Sequence, residues 1–134
     1  MNVKSYANRI LSRMDAYMRL GQDMSSTPEW WASEQISSQE LYGIYQGKKR
    51  DPNNSVVVAN EGLYIRSDNE WKLIVYANIK VEPPTKKAAL SGLNIQTNNE
   101  EIITLPIDNN DSDVFEFWRF LMRAREVCQD RGQT

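Results

Sequence analysis

The chain carries two hydrophobic periodicities, and the change between them near residue 38 organises it. In the opening "NVKSYANRILSRMDAYMRLG", Val3, Tyr6, Ile10, Met14 and Tyr17 recur at steps of three and four, with Arg9, Arg13 and Asp15 between them. That spacing predicts one amphipathic helix, ended by Gly21. Its Tyr and Met stripe reads as a docking face rather than a cofactor site. A second, short helix is expected in "SSTPEWWASEQ", where Thr27 and then Pro28 stand in the order that a helix start prefers. Trp30 and Trp31 would point to different sides of that turn. Such a pair reads first as a clamp onto the core, and second as an exposed binding aromatic.

From residue 38 the period becomes two. Strands are expected at 41–46, 55–59, 63–67, 71–76, 79–82, 92–97 and 101–105, separated by Asn60-Glu61-Gly62, Ser67-Asp68-Asn69, Pro83-Pro84 and Asn98-Asn99. Their close spacing predicts antiparallel hairpins rather than βαβ units. Ser37 and Glu40 also have capping-box spacing, so a helical turn competes with the first strand. The chain closes on a helix, "SDVFEFWRFLMRAREVCQDRG", with Val114, Phe117, Leu121, Ala124 and Cys128 in its main stripe. Phe115, Trp118 and Met122 form a second stripe beside it. Asp108, Asp111, Asp113 and Glu116 precede Arg119, Arg123, Arg125 and Arg131, the order that suits the helix dipole.

Three local sequences carry a family resemblance. "SVVVANEGLYI" resembles the hairpin of bacterial pleckstrin-homology-like domains, "EWKLIVYANIKVE" looks like their next strand and bend, and "VFEFWRFLMRA" is similar to their C-terminal helix. The resemblance covers roughly residues 38–130, and order and spacing carry it more than any single motif. It implies an α+β fold: a seven-stranded antiparallel, partly open barrel capped by a C-terminal helix, with an added N-terminal helix. Residues 1–37 would be a helical segment packed on or beside the core, and residues 38–134 the barrel with its helix. In the lipid-binding members of the family, basic residues of the first hairpin loop hold phosphoinositides. The matching positions are Lys48, Lys49 and Arg50, where ammonium and guanidinium groups on one short loop can converge on a phosphate. Asp51 and the turn-forming Pro52-Asn53-Asn54 favour a plain solvated loop instead. Lys86 and Lys87, before the sixth strand, are the other cationic pair.

Composition narrows the chemistry. With 134 residues, 40% of them hydrophobic, the chain can bury a core without metal or disulfide. A formal net charge of −2 argues against nucleic acid as the main partner. The single Cys128 cannot form an internal disulfide, and no apolar run reaches the roughly 18 to 20 residues of a membrane span. No signal-peptide pattern opens the chain, so a cytoplasmic protein is expected. Histidine is absent, which removes the commonest general base and metal ligand together.

The remaining candidates each have a plainer reading. In "DNNDSD", Asp113 stands where a calcium loop requires glycine and Arg119 where it requires glutamate, so the run reads as an acidic helix start capped by Asp111 or Ser112. Cys128 reads as a buried structural thiol, and Glu100 and Glu101 would face opposite ways on a strand and form no dyad. With no Gly-rich nucleotide loop and no zinc-type cysteine pair, an enzyme is not expected, and no cofactor or metal is called for. The expected function is a non-catalytic interaction module binding another protein, with Trp30, Trp31, Tyr42 and Tyr45 as candidate interface aromatics. The alternatives are an immunity or inhibitor protein that neutralises a toxin or enzyme, and an anionic-lipid binder acting through the first hairpin loop.

Overall fold

The computed structural model describes residues 2–20, 28, 30–31, 36, 40–49, 51–67, 69–84, 92–109 and 111–132. Chain order runs α1 (Val3–Ile10), β1 (Tyr17–Arg19), β2 (Leu41–Gln46), β3 (Ser55–Ala59), β4 (Gly62–Ser67), β5 (Glu70–Val75), β6 (Leu93–Gln96), β7 (Ile102–Leu105) and α2 (Asp111–Gly132). Strands β1 to β5 form one antiparallel sheet in sequence order, and β6 and β7 form a second, two-stranded one. The class is therefore α+β.

The N-terminal helix is shorter than its periodicity predicts. Asn2 caps α1 by accepting from the Ser5 backbone N–H, and the helix ends at Ile10, followed by a 3-10 turn over Leu11–Arg13. The chain then extends, and Tyr17, Met18 and Arg19 pair with Tyr45, Ile44 and Gly43 of β2. The pattern misleads for a physical reason: Val3, Ile10, Met14 and Tyr17 are all buried as the helical stripe requires, but the last two reach the core from extended backbone. Ladder bonds along the otherwise open edge of β2 win over local helix propensity. Gly43 makes the pairing possible, because a Cβ there would run into the Tyr17 ring and approach the Met18 carbonyl oxygen to 2.8 Å.

Two further expectations are corrected. The strand expected at 79–82 is reduced to a single bridge, Lys80 with Gln96, between a 3-10 turn at Tyr76–Asn78 and Pro83-Pro84. Prolines have no N–H to donate, so the ladder stops there. The seven strands among the described residues thus include β1 and exclude 79–82. Nor do the sheets close into a barrel: β5 and β7 end their respective ladders, and what joins them near one end is a side-chain ion pair, Lys72 Nζ to Glu101 Oε2 at 3.2 Å. Glu40 precedes β2 and its carbonyl accepts from the Asn60 N–H, which carries the ladder on. Gly21, Thr27, Ser37 and Asp68 of the predicted caps and turns lie outside the described residues.

The core lies between the main sheet, the second sheet and α2. Alternation places Tyr45, Val56, Val58, Leu63 and Ile74 on the inner face of the main sheet. Leu93, Ile95 and Leu105 come from the second sheet, and Val114, Phe117, Phe120, Leu121 and Ala124 from α2. Val3, Ala7, Ile10 and Leu11 belong to the same cluster, so the N-terminal residues share this core. Its aromatics meet edge to face, Tyr45 with Phe117 at 5.9 Å and Tyr76 with Phe120 at 5.7 Å between centroids. This is the favoured quadrupole geometry. The Tyr76 hydroxyl donates to the Ala59 carbonyl at 2.7 Å, so the buried ring leaves no polar orphan.

Candidate binding surfaces

The first hairpin loop follows β2. Lys48 and Lys49 are exposed there, while Arg50 lies outside the described residues, as do Lys86 and Lys87. The loop is tied down from beneath: Gly47 N–H donates to the Asn54 carbonyl at 2.8 Å, and Lys48 N–H donates to Asp108 Oδ1 at 2.9 Å. A carboxylate thus occupies a backbone donor that a bound phosphate would use, and it lowers the positive potential of the loop. Turn chemistry explains this segment without a ligand.

The four candidate aromatics separate. Tyr45 is fully buried, and its hydroxyl donates to Asp113 Oδ2 at 2.7 Å and accepts from the Asn109 N–H at 3.1 Å. It is therefore a core residue and offers no surface to a partner. Its inward direction follows from register, since it pairs with Val56 and Tyr17 on the inner face. Tyr42 is half-buried and donates to Asn60 Oδ1 at 2.8 Å. Trp30 and Trp31 are partly buried: Trp30 stacks on Trp71 of β5 at 6.0 Å and 26° and meets Trp31 edge-on at 6.1 Å. Strand register puts Trp71 on the outer face beside Arg66. The Trp pair accordingly clamps its segment to the back of the main sheet, where Ile44 and Val57 are also fully buried.

Asp113 is only 4% exposed. Burial pushes its carboxyl above the usual aspartate value; the Tyr45 hydrogen bond opposes this, and the Asp15 and Glu116 charges add to it. Helix α2 begins at Asp111, so Asp111 and Ser112 lie in its first turn rather than ahead of it, and the position before them, Asn110, is outside the described residues. Glu100 sits at a turn with φ 62°, and Glu101 faces Lys72, so the two form no dyad. Cys128 is half-buried against the core. Among the described residues no group of three or more Cys, Asp or Glu is placed to hold a metal, and no helix is long and apolar enough to cross a membrane.

Two surface features were not legible in the sequence. One is a groove of about 540 Å³ lined by the 80–84 segment, residues 92–96, Ile102 of β7 and Arg125 of α2. Ile102 is 69% exposed, the most exposed large hydrophobic side chain among the described residues. The pair Ile102-Ile103 gave a signal, since adjacent strand residues face opposite ways and one must leave the core. Arg125 is partly buried at this groove, and its Nε finds no acceptor among the described residues. The other feature is a cleft of about 350 Å³ between α1 and α2, lined by Tyr6, Arg9, Ile10, Arg13, Arg119 and Arg123. Arg119 and Arg123 stand four residues apart on α2, and they meet Arg9 near the end of α1 and Arg13 in the 3-10 turn that follows it only through the packing of α1 on α2.

No family model, curated protein or solved structure matches the chain.

Proposed function

We propose that the protein is a non-catalytic interaction module of pleckstrin-homology-like design, binding an extended segment of another protein along β7 and the adjoining groove. The order of elements supports the design: a meander of antiparallel strands, a smaller second sheet and a long C-terminal helix that shares their core. The observation that carries the binding reading is Ile102, exposed on an edge strand. Among the described residues β7 pairs only with β6, so its outer edge presents unmet backbone donors and acceptors for β-augmentation.

The groove also indicates the partner's chemistry. An apolar side chain would cover Ile102, and a carboxylate would answer Lys80, which is exposed, and Arg125, whose buried Nε has no acceptor among the described residues. Burying a guanidinium donor without a partner is costly, and a charge-assisted bond to a carboxylate removes that cost. Co-purification from the native cell with wild-type protein and with Ile102→Glu tests the reading. A partner retained by wild type should be lost from the variant, while both melt at the same temperature because residue 102 is exposed. Equal recovery of the same partner by both proteins would refute the site.

A further inference from the structure

We infer that the cleft between α1 and α2 is a second binding site, for a small ligand bearing two or more phosphate charges. It shares no residue with the first hairpin loop or the β7 groove. Four arginines line it, Arg9 from α1, Arg13 from the 3-10 turn after it, and Arg119 and Arg123 from α2, where like charges four residues apart repel one another. The carboxylates beside them neutralise only part of this. Glu116, half-buried, lies 3.4 Å from Arg119, and Glu126, exposed, lies 3.4 Å from Arg123, both pairs running along α2 itself. Arg9 and Arg13 have no carboxylate partner among the described residues. Two of the four positive charges are left over, in a chain whose net charge is −2.

Arginine suits phosphate because its planar fork donates two parallel hydrogen bonds to two oxygens, and here forks approach from two helices. Tyr6, half-buried, and Ile10, buried, give the cleft a partly apolar floor, while the four arginines are exposed around it and free to turn their forks toward a ligand. The volume is at the low end of the roughly 300 to 1,000 Å³ typical of small-molecule pockets. This matches a compact polyanion and not a long polymer. Such phosphate groups belong either to a free metabolite or to a lipid headgroup, and the chemistry of the cleft is the same for both.

The test uses the full chain with pyrophosphate as probe, followed by calorimetry, and compares phosphatidylcholine vesicles with and without a phosphatidylinositol bisphosphate. Three proteins are needed: wild type, Arg9→Gln with Arg123→Gln, and Lys48→Gln with Lys49→Gln as a charge-matched control. Saturable pyrophosphate binding should weaken by at least about tenfold in the arginine variant and stay unchanged in the lysine variant. Vesicle binding that pyrophosphate displaces assigns the headgroup, and pyrophosphate binding without vesicle binding assigns a free phosphate ligand. Absence of binding to both probes, or equal weakening by both variants, overturns the site. Amide and side-chain NMR shifts of wild type provide a readout independent of any variant's folding: pyrophosphate must move Tyr6, Arg9 and Arg119, and shifts confined to other surfaces overturn it as well.

Discussion

The Tyr45 hydroxyl donates to Asp113 Oδ2 across 2.7 Å, joining the far end of β2 to the first turn of α2 inside the core. A buried carboxylate is thereby held by a neutral donor, not by a cation, which fixes its pH behaviour. Because burial raises the folded pKa of Asp113 above the ordinary aspartate value, the folded protein binds more protons than the unfolded chain between those two values. The contribution of Asp113 to stability is therefore most favourable at low pH and falls as pH rises through that window. Asp113→Asn keeps an acceptor for Tyr45 and removes the titration. Urea melts from about pH 3.5 upward should show wild type losing stability relative to Asp113→Asn as pH rises past the usual carboxylate range. Asp113→Ala should cost about 1 to 3 kcal/mol at neutral pH, because the Tyr45 proton is left unmet.

Tyr17 and Gly43 test whether β1 belongs to the sheet. Gly43→Ala forces a methyl group into the Tyr17 ring and toward the Met18 carbonyl, and should destabilise by about 1 to 3 kcal/mol. Amide exchange should accelerate first at residues 17–19. The Tyr17 hydroxyl is buried and finds no partner among the described residues, and burial pushes its ionisation far up. Tyr17→Phe should accordingly be neutral or stabilising in a thermal melt. A continuous helix from residue 3 to residue 20 would make Gly43→Ala harmless.

The reading of Trp30 as a clamp predicts coupling with Trp71. A double-mutant cycle with leucine at each position should give an interaction energy of about 0.5 to 1.5 kcal/mol. Strict additivity would mean that the rings do not stack in solution.

How much of this was legible in the sequence differs by level. Short apolar or alternating runs with turn residues between them found β2 to β7 within a residue or two, β3 being an apolar run buried on both faces. The same local reasoning carried a helix through β1, because Met14 and Tyr17 satisfy a helical stripe and an inward-facing extended segment equally well. Closure also escaped it: whether β5 meets β7 depends on bending at Tyr76–Asn78 and on prolines 83 and 84, not on hydrophobic pattern. Among candidate site residues, Tyr45 looked available because tyrosines often sit at interfaces, but its register with Val56 commits it inward. Ile102 and the arginines of α1 and α2 became candidates only through placement, as an edge residue and as four charges brought together by helix packing.

The lysines of the first hairpin loop are predicted to carry no ligand. Lys48→Gln with Lys49→Gln should leave stability within about 0.5 kcal/mol of wild type, as for surface positions generally, and should leave pyrophosphate affinity unchanged. Thermal melts and titration calorimetry measure both.

A photo-crosslinking side chain at residue 102 in the native cell probes partner docking along β7, with the same side chain at exposed Lys4 on α1 as the reference position. One discrete protein adduct should form from position 102 and be absent from position 4, and peptide mapping should place the crosslink in a segment holding an apolar residue near a carboxylate. No adduct at 102, or the same adducts from both positions, would contradict a partner docked along β7.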